Sequence, residues 1–335
     1  MIKEAIIKLT NKENLTSEQA YQCMNEIMDG VASDVQKTAY LTALNMKGET
    51  IEEITGSARS MREHCRSFKS DGDLLEIVGT GGDGSNSFNI SSTSALVLAA
   101  GGVKVAKHGN RAASSKSGAG DVYEQLGVKV DCEVERSQTS LEENGICFLY
   151  APIYHPAMRF VGPVRQELKI RTIFNILGPL TNPAHAKTQI MGVYSEALVE
   201  PMAHVLANLG VKRGAVVFGQ DGMDEISLSA KTTVMEIDHG KFTRYEINPA
   251  DYGFKMAPKA AIVGGTPEDN ARITLDVLSN KSGPHQDIVL LNAAMGFYLA
   301  GITPSYESGI LYAREVIESK KPLEILDKFI ATTNG

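Results

Sequence analysis

Over the first 66 residues the apolar positions recur at helical spacing, as in Ile27, Val31, Val35, Ala39, Leu41 and Leu44. Three pairs have the spacing of a capping box: Thr16 with Gln19, Ser33 with Gln36 and Thr50 with Glu53. In each, a hydroxyl caps the first turn while the residue three positions on reaches back to the cap. No strand-like alternation interrupts them, so residues 1–70 are predicted to form a small all-helical domain. The polar stretch Ser67–Gly72 reads as a linker. From Leu74 the pattern changes. The apolar runs Leu74–Val78, Val103–Ala106 and Cys147–Tyr150 alternate with the helical stretches Ser91–Ala100 and Asp121–Leu126. That alternation predicts βαβ units. Further strands are predicted at Gln189–Val193, Ala215–Phe218, Val234–Ile237 and Thr243–Ile247, the last two forming a hairpin around His239-Gly240. Helices are predicted near 267–278, 286–300, 305–319 and 322–331. The fold class is therefore a small all-helical N-terminal domain plus a larger α/β domain, 71–335, with a mostly parallel central sheet and an antiparallel edge. Tyr154–Pro183 fits the sheet pattern poorly. It reads as helix broken at Gly178-Pro179, and about 155–183 is expected to rejoin the N-terminal helices and serve as a hinge.

Composition narrows the function more than the fold. The chain has 335 residues, 43% of them hydrophobic, which is ample for a packed core. No apolar run approaches the roughly 18 residues of a membrane helix. Lys3, Glu4 and Lys8 interrupt the apolar start, unlike a signal peptide. Cys23, Cys65, Cys132 and Cys147 have neither CxxC spacing nor paired histidines, and read as reduced thiols of a cytoplasmic protein. A net charge of −7 argues against a nucleic-acid or acidic-membrane partner. It leaves room for a small anion, because Lys104, Lys107, His108, Arg111 and Lys116 cluster in one short stretch.

The first chemical signal is the loop Val78 to Ser92, which follows an apolar strand and precedes an apolar helix. Its glycines let the backbone approach an anion, and loop and helix-start N–H groups bind phosphate. Ser87, Asn89, Ser91 and Ser92 add side-chain donors. Gly79, Gly81 and Gly84 satisfy GxGxxG, yet no acidic residue follows Asp83 until Asp121 and the polar loop runs on to Asn89. Both features exclude a dinucleotide fold. Gly240-Lys241 is followed by Phe242, so there is no P-loop.

A second loop, Lys107 to Gly118, also follows a strand. In a parallel sheet both loops would leave the C-terminal edge, where ligands bind. Two adjacent anion loops suit a ligand with more than one phosphate group. Asp224 and Glu225 are neighbouring carboxylates on a turn after the strand Ala215–Phe218. Taken alone they read equally as a surface turn or as ligands for Mg²⁺ beside phosphates.

Taken together, these segments resemble the anthranilate phosphoribosyltransferase family. So do His155-Pro156-Ala157-Met158, Val164-Arg165-Gln166-Glu167-Leu168, Arg171-Thr172-Ile173-Phe174-Asn175, Leu177 to Pro183, and Met46-Lys47-Gly48-Glu49-Thr50. The resemblance covers nearly the whole chain. It implies a helical and an α/β domain with substrates in the cleft between them, a Mg²⁺ requirement and a homodimer. It implies that Gly79, Gly82, Asp83, Ser87, Asn89, Ile90, Ser91 and Ser92 hold PRPP. Lys107, His108, Gly109, Asn110, Arg111, Ala112, Ala113, Ser114, Ser115 and Ala119 would close round the same substrate. Gly79, His108, Asn110 and Arg165 would contact anthranilate, and Ser91, Asp224 and Glu225 would bind the metal. No acid or base is assigned. The chain departs from the family pattern at Ala119, usually Ser, at Gly120, often Ala, and at Gln166, often Arg. The same fold serves pyrimidine nucleoside phosphorylases, for which no second signature is present. A non-catalytic nucleic-acid-binding relative would have lost Asp224-Glu225 and gained positive charge.

Overall fold

The computed structural model describes residues 1–70, 72–112 and 116–335. Four helices come first: α1 (Ile2–Thr10), α2 (Ser17–Met28), α3 (Asp34–Lys47) and α4 (Ile51–Glu63). The capping boxes at Thr16, Ser33 and Thr50 are all formed. Glu53, buried, serves the Thr50 box and also accepts from Leu15 N at 2.9 Å, with Lys47 Nζ 2.9 Å away. The Met46–Thr50 motif thus closes one helix and starts the next. The spacing of apolar residues misleads at two places. Ile27, Leu41 and Leu44 are buried, but Val31 and Val35 are 73% and 79% exposed. Gly30, with φ 73°, turns the chain after α2, and the Ser33 cap restarts the helix, so the helical phase is lost between them.

The remainder runs β1 (Leu75–Gly79), α5 (Ile90–Ala100), β2 (Val105–Gly109), α6 (Ala119–Gln125), α7 (Val134–Asn144), β3 (Ile146–Tyr150), α8 (Ala151–Tyr154), α9 (Gly162–Leu168), α10 (Phe174–Leu177), β4 (Thr188–Gly192), α11 (Val199–Asn208), β5 (Arg213–Gly219), β6 (Thr232–Asp238) and β7 (Lys241–Ile247). Helices α12 (Pro267–Leu278), α13 (Pro284–Leu299), α14 (Tyr306–Glu318) and α15 (Lys321–Asn334) follow. The seven strands form one sheet in the order β3-β2-β1-β4-β5-β6-β7. The first five are parallel; β6 and β7 are the antiparallel hairpin that the sequence predicted around His239-Gly240.

Alternate residues of each strand enter different cores, as a pleated strand requires. Ile190, Ala215 and Val217 pack with α5, α6 and the C-terminal helices. Met191, Val216, Met235 and Ile237 face the other way, with α11 and the N-terminal helices. The stretch 155–183 is a string of short turns rather than one broken helix. Pro156 and Pro163 each start a turn, and Lys169, at φ 51°, ends α9. Val161, Val164, Ile173 and Phe174 share the apolar cluster of α1–α4. Lys37 Nζ, almost wholly buried, donates to Phe160 O at 2.5 Å. Arg62 donates to Leu180 O at 2.7 Å and to Leu209 O at 2.9 Å. Because β1, β2, β4 and β5 run parallel, the turns that follow them open at one edge of the sheet.

Candidate active site

A cleft of about 1060 Å³ lies at that edge. Its floor is the turn after β1. Gly81, Gly82 and Gly84 take φ of 68°, 73° and 71°, the left-handed conformations that tighten the loop. Asp83 holds the turn by accepting from Ser85 N at 3.0 Å. The loop then enters α5, so that Asn89, Ser91 and Ser92 meet the cleft at a helix N-terminus. Ile90 does so by its backbone, since its side chain belongs to the core. Asn89 is fixed on three sides: its Oδ1 accepts from Asn270 Nδ2 at 2.8 Å and Ser117 Oγ at 3.1 Å, and its Nδ2 donates to Ser117 O at 3.2 Å. Thr80 Oγ1 and Ser92 Oγ are buried without a hydrogen-bond partner.

The second loop brings Lys107, His108, Gly109, Asn110, Arg111, Ala112 and Ala119 to the same cleft; Ala113, Ser114 and Ser115 lie outside the described residues. Its cations divide, Arg111 and Lys116 being exposed and Lys107 not. Lys107 is buried, and its amine donates to Ile77 O at 2.7 Å and Ser91 Oγ at 3.1 Å. Burial pulls that amine down to about 8, with Glu76 and Glu225 pulling the other way. Arg111 is committed to Glu124, at 3.0 and 2.5 Å. The His108 ring lies 5.0 Å from that of His155. Burial pulls His108 well below its usual value and His155 down to about 4, so both rings are neutral at pH 7. The Nε2 atoms of both are buried without partners.

Asp224 and Glu225 come from the turn after β5 and are almost wholly buried. Asp224 Oδ2 accepts from Gly81 N at 2.6 Å, which docks this turn directly on the glycine loop. Burial, then the charge of Asp83, pushes the Asp224 carboxyl up to about 7. Burial and then Asp224 push Glu225 well above the usual range. Among the described residues no group of three or more His, Cys, Asp or Glu side chains is gathered to hold a metal alone. Two carboxylates beside a phosphate loop suit a hard cation that takes its other ligands from phosphate oxygens.

The segment 155–183 forms the remaining wall. Arg165 reaches the cleft from α9 with its guanidinium 5.1 Å from the Phe174 ring. Burial lowers its pKa. All the described residues assigned from the sequence to substrate or metal, Gly79 through Glu225, therefore line one cavity, whereas Lys104 and Lys116 of the basic stretch do not. The sequence reading gave no role to Arg171 or Glu76. Arg171 Nη2 donates to Gly82 O at 2.6 Å and stacks 4.0 Å over Tyr194, fixing the glycine loop from outside. Glu76 accepts from His108 N at 3.1 Å. Its signal was present in Leu74-Leu75-Glu76-Ile77-Val78: a carboxylate inside an apolar strand needs a buried partner.

Loops and architecture together define a glycosyl transferase. Residues 3–65 match the model of the glycosyl transferase family, helical bundle domain, and residues 71–322 that of the glycosyl transferase family, a/b domain. Over 335 residues, covering all of both chains, the sequence is 55% identical to the anthranilate phosphoribosyltransferase of Methanobrevibacter smithii. It is 53% identical to that of Lachnoclostridium phytofermentans over 100% of this chain and 99% of the other. The crystal structure of the Thermus thermophilus enzyme superposes with a TM-score of 0.94 at 46% identity, covering 99% of each chain. The Saccharomyces cerevisiae enzyme in complex with PRPP and Mg superposes at 0.90 with 31% identity, over 99% of this chain and 98% of the other. The chain belongs to the anthranilate phosphoribosyltransferase family.

Proposed function

We propose that the chain transfers the phosphoribosyl group of PRPP to the amine of anthranilate, forming N-(5-phosphoribosyl)anthranilate and pyrophosphate, the second step from chorismate to tryptophan. One observation carries this reading: two glycine-rich anion loops, an acidic pair and the half-buried Arg165 open into one cleft. Gly79, Gly82, Asp83, Ser87, Asn89 and the α5 start hold PRPP. Asn110, Arg111, Ala112 and Ala119 face it from the second loop, where Ala119 supplies no hydroxyl. Asp224, Glu225 and Ser91 would hold Mg²⁺, which when bound offsets charge gathering on the leaving pyrophosphate. The amine nitrogen bonds to ribose C1 as the bond from C1 to the pyrophosphate oxygen breaks, and the nitrogen then sheds a proton. An aromatic amine is already a nucleophile, so positioning and charge neutralisation suffice. His108 and His155, both neutral at pH 7, add no positive charge to the cleft. Residues 1–70 with 155–183 act as one body and the remainder as the other. Ile7, Val31, Val35 and Met46 are exposed apolar side chains available to a homodimer contact. Four free cysteines support a cytoplasmic setting, and among the described residues no helix is long and apolar enough to cross a membrane.

The test is the loss of anthranilate fluorescence on adding PRPP and Mg²⁺, with the product confirmed by mass and the loss abolished by EDTA. No loss at high enzyme concentration overturns the reading and directs the test to phosphate with thymidine and uridine. Within it, Arg165 binds the anthranilate carboxylate, because a guanidinium fork matches that group. Arg165→Ala is expected to raise the anthranilate KM roughly 10- to 100-fold, the worth of a charge-assisted hydrogen bond, and the PRPP KM by less than about threefold. Equal changes in both constants would remove that role.

A further inference from the structure

Ladder pairing between strands β1 and β2 ends after one pair. Leu75 stands against Val105 and the pairing ends there, although β1 stays paired to β4 through Gly79 and β2 to β3 through Gly109. Had the register continued, Ile77 would stand against Lys107. Its N–H and C=O would then bond Ala106 O and His108 N in the parallel pattern. Three of those four backbone groups are met by side chains instead. Asn182 Nδ2 donates to Ala106 O at 2.8 Å, His108 N donates to Glu76 Oε1 at 3.1 Å, and Lys107 Nζ donates to Ile77 O at 2.7 Å. Glu76, Lys107 and Asn182 are 0%, 1% and 1% exposed, so these bonds lie in the interior.

A buried backbone group has to be paired, and the shortest way to pair two strands is the ladder itself. Side chains that intercept ladder groups therefore hold the strands apart. They do so at the end of the sheet where the two glycine-rich loops leave. The same Lys107 amine also reaches Ser91 Oγ at 3.1 Å, tying the α5 start to the wedge. We infer that Glu76, with Lys107 and Asn182, is a positioning wedge that sets the distance between the two phosphate-binding loops. This inference rests on the reading that PRPP bridges both loops. Glu76 matters most for the test, because it fixes His108 near the start of the second loop and touches neither substrate nor metal.

Glu76→Leu removes the acceptor for His108 N at similar volume, whereas Glu76→Gln keeps one. With folding checked by circular dichroism, Glu76→Leu is expected to raise the PRPP KM and Kd at least tenfold. The anthranilate KM should stay within about threefold. Amide exchange in the peptide beginning at His108 should accelerate. Glu76→Gln should restore both constants to within about threefold of the unaltered enzyme. Asn182→Ala, which leaves both loops untouched, should change the same constants in the same direction and decides the matter if Glu76→Leu does not fold. A folded Glu76→Leu or Asn182→Ala protein with lowered melting temperature and unchanged PRPP constants makes the wedge merely structural and overturns the inference. Calorimetric titration of the unaltered protein with PRPP and Mg²⁺ separates the two layers. Absence of binding there overturns the proposed function and the inference with it, while binding there combined with unchanged variants overturns the inference alone.

Discussion

Replacing Asp224 by Asn and Glu225 by Gln together should lower kcat/KM at least about 10³-fold, roughly 4 kcal/mol of transition-state stabilisation, yet raise the melting temperature in metal-free buffer at pH 8. The two effects share a cause. Asp224 and Glu225 are buried next to each other and to Asp83, so each carboxylate is held at the expense of burial and like charge. Asp224 is pushed up to about 7 in the folded chain, whereas an unfolded Asp titrates near 4. A raised folded pKa means that the neutral carboxyl is the favoured folded form. Its stabilisation is complete below about pH 4 and is lost as pH rises through about 7. The unaltered protein should therefore be less stable at pH 8 than at pH 5 in EDTA, by an amount on the order of a few kcal/mol. The amide pair should flatten that profile. Mg²⁺ should steepen the contrast by stabilising only the unaltered chain. Melting curves at both pH values, with and without Mg²⁺, check all of this. Retained activity, or a pH profile unchanged by the double substitution, would show that these carboxylates neither hold the metal nor carry the electrostatic strain.

Much of the fold could be read along the chain because its signals are local. A capping box such as Thr16–Gln19 lies within four residues, and the hairpin at His239-Gly240 is set by its own turn. The glycine loops were legible for the same reason: a strand, a run of glycines and hydroxyls, then a helix. What the sequence concealed depends on residues far apart. Arg171 meets Gly82, and Asn182 meets Ala106, across separations that no periodicity reports. The cationic stretch at Lys104–Lys116 looked like a surface patch around a ligand. In the structure Lys107 turns inward to the sheet and Arg111 pairs with Glu124, so the cations that reach the cleft are already met by the chain's own groups. Val31 and Val35 failed for a complementary reason. A helical repeat was read through Gly30, where the chain turns.

The tightest geometric constraint on the site is the space left for Asp224, and two glycines provide it from neighbouring strands. A Cβ on Gly79, at the end of β1, would lie 2.3 Å from Asp224 Oδ2, and one on Gly192, at the end of β4, would lie 1.6 Å from Asp224 O. The obstacles differ in kind. A carboxylate can rotate away, so Gly79→Ala should fold, with the Asp224 side chain displaced and its bond to Gly81 N lost. A backbone carbonyl moves only with its loop, so Gly192→Ala should displace the whole Asp224–Glu225 turn. The expected result for Gly79→Ala is a melting temperature near that of the unaltered chain and a Mg²⁺ activation constant raised roughly 10- to 100-fold, the scale of one lost charge-assisted contact. For Gly192→Ala the expected loss of stability is about 3 kcal/mol, the upper end of overpacking costs, read as a lower urea midpoint with an unchanged slope. Activity should fall with it and should not be recovered by excess Mg²⁺. If Gly79→Ala needed no extra Mg²⁺, Asp224 would not be a metal ligand. If Gly192→Ala were as stable as the unaltered chain, the turn after β5 would be free to move, and its carboxylates could not be held in the strained, preorganised state on which the opening prediction depends.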